Sequence, residues 1–264
     1  MNHSWLTLFF GLHCIADFYL QTELSAEKKK EDLWEVIKHS IKYSFPYILL
    51  LIPFKFSILH IEGLIFIITS HAVIDIWKFI IQTDIDYLEG TSRIFFLDQL
   101  LHILCLIIVT SFCFSGKWSE SLYISNIPSN IELYVSIAIF LLVLLKPTNI
   151  CLREFIRLIQ LNQEKGSPQK DAIPLSDKQQ SVKKQNNDKT GRTIGSLERL
   201  LIGIALIAQQ YTAIGLVLTA KALARHENFK EKWFAEYFLI GTLFSMLFTV
   251  VSYICILYPI LPAQ

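Results

Sequence analysis

Residues 94–115 read IFFLDQLLHILCLIIVTSFCFS. At about 1.5 Å of rise per residue, a helix over this stretch spans the roughly 30 Å hydrocarbon core of a bilayer. It nevertheless carries Asp98, Gln99 and His102. A charged Asp at a helix centre costs on the order of 2.5 to 3.5 kcal/mol in hydrocarbon, so these residues must face the interior of a bundle rather than lipid. The stretch therefore predicts both a membrane helix and a polar site inside the membrane protein it belongs to.

Other windows of the same kind predict helices near residues 5–20, 42–59, 61–82, 131–146 and 236–259, with a further apolar stretch at 194–224. Pro46 and Pro53 are expected to kink the second helix and Pro147 to stop the fifth. The fold class is an all-α multi-pass integral membrane bundle with about six to eight membrane segments. Composition agrees, since 53% of the 264 residues are hydrophobic and 18% charged, and the mean hydropathy is +0.44. A net charge of +1 gives no global attraction to nucleic acid, which is not an expected partner. The five cysteines lack CxxC spacing and read as small buried residues. The N-terminus has no basic run or small-residue cleavage site ahead of it and is read as retained.

Three domains follow: an N-terminal membrane bundle over 1–147, a linker over 148–193 and C-terminal membrane helices over 194–264. The central linker, QLNQEKGSPQKDAIPLSDKQQSVKKQNNDKTG, is polar, holds Pro and Gly and has no apolar period, so it is expected to be disordered and to offer a soluble partner a docking segment. Between 148 and 196, nine basic residues stand against five acids, which places this region in the cytoplasm. Alternation puts the loop with Lys28, Lys29, Lys30, Lys38 and Lys42 on the same side. A straight helix over 194–220 would strand Lys221, Arg225, Lys230 and Lys232 outside. Two half-helices meeting near Gln209, Gln210 and Tyr211, a re-entrant pair, return those charges to the cytoplasm. The expected location is the inner (plasma) membrane.

His and Asp recur four positions apart in three helices: His13 with Asp17, His71 with Asp75, and Asp98 with His102. Spacing by four places both side chains on one helix face. Lys78 extends the second stripe by a turn, and His39 precedes the second helix. Imidazoles and carboxylates converging from several helices suit a divalent metal ion (Zn, Mn or Fe) that keeps a coordination position open. His13, Asp17, His71, Asp75, Asp98 and His102 are the candidate ligands. Lys78 is the candidate for stabilising developing negative charge, and His39 for an extra ligand or a general base.

The plainer alternative is that each Asp accepts a hydrogen bond from its neighbouring His or from Lys78, making polar clasps between helices. For one isolated pair that is the commoner outcome. Three pairs in one chain bring the two readings level. His3, His60 and His226 have no such company. Glu198, Arg199, Lys221, Arg225 and Glu236 border apolar runs, where snorkelling, a Glu to Lys or Arg pairing, or contact with an anionic headgroup each account for them. The Lys28 to Lys30 run reads as a solvated helix face.

At these residues the sequence resembles a bacterial membrane-protein family designated domain of unknown function 3307. The resemblance is carried by His13-Cys-Ile-Ala-Asp17-Phe with Gln21 and Lys28, by His39, by His71-Ala-Val-Ile-Asp75 with Lys78, and by Asp98-Gln99 with His102. It covers roughly residues 5–115. GRTIGSLER, AIGLVLTAKALAR and AEYFLIGT resemble a C-terminal region of longer members. The family implies no activity. Intramembrane metal-dependent hydrolases, which also place His and Asp on facing helices, are an analogy of site style alone.

The functional expectation is a metal-dependent membrane hydrolase acting on a lipid or lipid-linked substrate. A transporter or ion-binding protein that uses the same residues as a relay, or a membrane scaffold, are the alternatives. No internal repeat supports the transporter.

Overall fold

The computed structural model describes residues 3–84, 88–124, 128, 130–164, 177–230 and 232–261. Ten α-helices run through them: α1 His3–Cys14, α2 Glu23–Lys28, α3 Leu33–Leu49, α4 Ile58–Asp84, α5 Leu88–Cys113, α6 Ile131–Leu144, α7 Lys146–Glu164, α8 Asp177–Ile207, α9 Tyr211–Ala224 and α10 Lys232–Ile256. Among the described residues there is no strand, only an isolated bridge between Phe54 and Leu122. Four segments are long and apolar enough to cross a membrane: Ile58–Gln82, Ser92–Cys113, Ile131–Gln160 and Phe234–Ile256. Large apolar side chains such as Val73, Ile80, Leu100, Leu104 and Phe112 lie exposed on α4 and α5, as lipid-facing residues do.

The chain divides into two compact units, Met1–Val143 with Ile256–Gln264, and Leu144–Cys255. In the first, α1 packs on α3 and α5, and α3 and α5 pack on α4. Glycines allow the closest approaches. A Cβ on Gly63 of α4 would lie 2.9 Å from the Cys113 Cβ and from the Phe114 ring, and one on Gly11 would lie 2.6 Å from Ile139. Small residues at helix contacts let backbones approach where no hydrophobic effect drives helices together. One end of this unit is closed by an aromatic group in which Trp5 meets Phe9, Phe54, Phe56 and Phe114. There the buried Glu132 carboxylate accepts from the Ser4 hydroxyl and from the Ser119 amide and hydroxyl, tying α1, α6 and the turn at 118–121 together.

Three sequence expectations meet a different outcome, and the linker stands beside them. α3 begins at Leu33, capped by Asp32 through the Trp34 amide, and ends at Leu49, so Pro46 lies inside it and Pro53 lies in the turn beyond. α1 ends in a π-helical turn over Ile15–Tyr19. The region 148–193 is helical where it is described, over α7 and the first part of α8; residues 165–176 lie outside the described residues. Pro147 separates α6 from α7 at Leu145 rather than ending the helical run, since a proline is tolerated in a first helical turn.

In the second unit α8 ends at Ile207 and α9 starts at Tyr211, with Gln209 between them in the left-handed region at φ 59°. Lys221 pairs with Glu198, two residues equally far from that break, so α8 and α9 form an antiparallel hairpin. Ile202, Ala205, Leu206 and Ile214 fill its core with Met246 and Val250 of α10 packed against them.

Candidate metal centre

Beyond the aromatic end of the first unit, the polar residues of α1, α3, α4 and α5 converge. His71 lies 13 residues after the start of α4, about 20 Å along the helix, and Lys78 about 30 Å along it. His13, His39, His71, Asp75, Asp98 and His102 are all buried. The rings stack closely: His71 lies 4.4 Å from His102, 5.5 Å from His39 and 6.1 Å from His13 between centroids. All eight residues singled out from sequence therefore meet in one place, yet they do not meet as three separate pairs.

The π turn is the reason for the largest departure. In an α-helix Asp17 would lie on the same face as His13, but π winding carries a residue four positions on to a different bearing. Asp17 Oδ1 instead lies 3.0 Å from His39 Nε2, and Asp17 Oδ2 accepts from Gln99 Nε2 at 3.0 Å. His13 uses both ring nitrogens elsewhere. Its Nε2 lies 3.4 Å from Gln99 Oε1, which can only accept, so that nitrogen carries the proton and Nδ1 accepts from the Tyr43 hydroxyl at 3.2 Å. Tyr43 in turn lies 3.0 Å from the Tyr47 hydroxyl. His13 thus has both ring nitrogens within reach of neighbouring side chains, Gln99 and Tyr43.

His39 stands at the centre. Its Nε2 is 3.0 Å from Asp17 Oδ1, 3.4 Å from His71 Nε2 and 3.7 Å from Asp75 Oδ2, while His71 Nε2 is 3.5 Å from that same Asp75 oxygen. Four ligand atoms around a tetrahedral ion with bonds of about 2.1 Å stand about 3.4 Å from one another. The observed separations lie close to that edge length. Two triads have their ligand atoms within 4.8 Å of one another: Asp17, His39 and His71, and His71, Asp75 and His102. Neither contains Asp98 or His13.

Asp98 belongs to a second polar arrangement. Its Oδ2 accepts from Lys78 Nζ at 2.7 Å and from Gln99 Nε2 at 3.2 Å. Its Oδ1 lies 3.3 Å from His102 Nε2 without the geometry of a hydrogen bond. Among the described residues, Asp98 Oδ1, His102 Nε2 and His71 Nδ1 are buried with no hydrogen-bond partner. Asp98 Oδ1 and His102 Nε2 nevertheless face one another at 3.3 Å as an ion pair, so of the three only His71 Nδ1 has neither contact, and a buried polar atom left unpaired costs about 1 to 3 kcal/mol.

The charge of the cluster favours a cation. Asp17, Asp75 and Asp98 face two ammonium groups, Lys78 on Asp98 and Lys29 on Asp75 Oδ2 at 2.8 Å, which leaves one negative charge when the imidazoles are neutral. Lys29 is a correction to the sequence reading: of the 28 to 30 run, Lys28 and Lys30 are exposed while Lys29 turns into the site. No local pattern separates it from its neighbours. Tyr43 was more accessible to inspection, since His39, Tyr43 and Tyr47 recur every four residues on one face of α3, and the Tyr43 ring stacks on His71 at 3.4 Å and 5°.

Residues 5–129 match the model of a family described as a protein of unknown function, DUF3307, the family that the His and Asp motifs resemble. The match covers the converging helices and stops before α6, so the C-terminal stretches lie beyond it. No curated protein and no solved structure matches the chain.

Proposed function

We propose that this protein is a multi-pass membrane protein with a divalent metal centre formed by Asp17, His39, His71 and Asp75, and that the centre serves hydrolysis of a lipid or lipid-linked substrate. The observation that supports it is the close approach of His39 Nε2 to Asp17, His71 and Asp75 and of His71 Nε2 to Asp75, with Asp17, His39 and His71 forming a triad whose ligand atoms lie within 4.8 Å of one another. Imidazole and carboxylate ligands suit Zn, Mn or Fe. A bound ion of this kind supplies Lewis-acid polarisation and a water of lowered pKa. The chain's own residues supply the rest: His102, whose Nε2 lies 3.3 Å from Asp98 Oδ1, stands beside His71 and Asp75, and Gln99 orients Asp17, Asp98 and His13 at once. Lys78 is held on Asp98, at the edge of the cluster, as a source of positive charge.

One observation favours a second reading. Lys29, Asp75, His39, Asp17, Gln99, Asp98 and Lys78 form a continuous polar chain, the form that a proton or cation relay takes. Elemental analysis separates the two. Protein purified in detergent without chelator is expected to hold about one divalent ion per chain, lost in His39→Ala and in Asp17→Asn. A metal-free wild type that takes up none on incubation with Zn or Mn sinks the metal reading and leaves the relay.

A further inference from the structure

Two cations of the cluster have no place in a bare metal site. Lys29 Nζ donates to Asp75 Oδ2, the oxygen that also faces His39 Nε2 and His71 Nε2, and Lys78 Nζ donates to Asp98 Oδ2. Lys78 lies one turn beyond Asp75 on α4, so Asp75 stands between the two ammonium groups. Among the charged side chains of the cluster these two are the most exposed, at 12% and 21%, whereas Asp75 and Asp98 are at 2% and 1%. Asp17, at 11%, is exposed to nearly the same degree as Lys29, so solvent touches the cluster at Lys29, Lys78 and Asp17. Lys29 belongs to the Lys-rich segment between α1 and α3.

A divalent ion reverses the charge of the site. Without it three carboxylates outweigh two ammoniums by one; with it the sum becomes one positive charge. Asp75, bound to the ion, gives up its charge to the metal, and Lys29 is left with a surplus at the mouth. A neutral ester would leave that positive charge uncompensated in a low-dielectric setting, which is costly. An anion with several acceptor oxygens removes the cost by meeting the ion and both ammonium groups together.

Resting on the metal reading above, we propose that the metal-loaded site binds a phosphate group, and that Lys29 and Lys78 are the residues that select it. The ligand is a phosphate ester or phosphate presented at the headgroup level of the membrane, held by the ion on one side and by the two lysines on the other.

The test uses the full chain in micelles of a non-ionic detergent. Inorganic phosphate is titrated by calorimetry into manganese-loaded and into EDTA-treated protein. Binding is expected only in the loaded protein. Lys29→Gln and Lys78→Gln are each expected to weaken it at least tenfold with manganese stoichiometry unchanged, and Lys29→Arg and Lys78→Arg to retain most of it. A second arm replaces inorganic phosphate with micelles doped with phosphatidic acid, phosphatidylglycerol or diacylglycerol. Binding of the two phospholipids over diacylglycerol, tighter than that of inorganic phosphate, assigns the group to a lipid headgroup; tighter inorganic phosphate assigns it to a soluble ion. Manganese uptake without phosphate binding, or Lys→Gln variants that bind as the wild type does, overturns this inference alone. Absence of stoichiometric manganese overturns it together with the metal reading.

Discussion

Asp75 is the residue on which the clasp and the metal readings differ most. It accepts from Lys29 and faces two imidazoles, so Asp75→Asn keeps its size and removes its charge. With a metal bound, this substitution is expected to abolish metal content while the fold survives, and His39→Ala is expected to be non-additive with it because both alter one shared ion. A clasp predicts additive losses of about 0.6 to 2 kcal/mol from each and no metal in any variant. Metal content and thermal stability in detergent, measured on the two single variants and the double, separate these outcomes. Gln99 gives a second residue-scale prediction. It contacts Asp17, Asp98 and His13, and Gln99→Leu leaves all three short of a partner. The expected loss is about 1 to 3 kcal/mol, read as a lowered Tm in detergent. No change in Tm would show that these contacts hold nothing in place.

At the scale of the element, the crossing of α4 and α5 governs how His71 and Asp75 meet Asp98 and His102. Gly63 sits at that crossing with no room for a Cβ, while Gly241 of α10 has nothing within 4 Å of where its Cβ would be. Gly63→Ala is expected to destabilise by about 1 to 3 kcal/mol and to lower metal occupancy as the two helices separate. Gly241→Ala removes backbone freedom from a helix interior and is expected to stabilise by about 0.5 to 1 kcal/mol. Equal Tm shifts for the two variants would refute the close-packed crossing. The π turn at Ile15–Tyr19 has the same kind of consequence, because it aims Asp17 at α3 and α5 instead of at His13. Spacing by four assumes α winding, and no sequence rule announces five residues of a wider helix.

For the whole molecule the open matter is how the second unit meets the bilayer. α9 has 14 residues, about 21 Å of helix, too short for a roughly 30 Å core. The α8 and α9 hairpin, pinned by the Lys221 to Glu198 pair, suits a re-entrant arrangement in which both ends face one side. Cysteines placed at Gly195 and at His226 are then expected to react with an impermeant maleimide from the cytoplasmic face and not from outside intact cells. Labelling of the two positions from opposite faces would establish a straight crossing instead. In the same unit Arg199 is buried, its Nε donating to the Leu144 carbonyl and its Nη2 to Asn149 Oδ1 and Ser196 Oγ, with no carboxylate paired to it among the described residues. It serves as a cap on the helix end that Pro147 interrupts, a role that its position at the border of an apolar run did not disclose.

The sequence by itself determined the class of the protein and the identity of its polar centre. Twenty-odd apolar residues in a row can be satisfied only by helices in a membrane, and ionisable residues inside them must turn inward, so His13, Asp17, His39, His71, Asp75, Asp98 and His102 were legible as one set before any contact was known. A break between helices near Gln209 and Gln210 was expected from the charges that follow it, and α8 and α9 do part there. What only the tertiary structure decided is who meets whom. His13 meets Gln99 and Tyr43, His39 becomes the hub, Asp98 meets Lys78, and Lys29 comes from a segment 46 residues away to meet Asp75. The physical reason is that hydropathy and period fix the face a residue occupies on its own helix. Partners across helices depend on winding, crossing distance and the entry of a loop, and those are set by packing among all the elements at once.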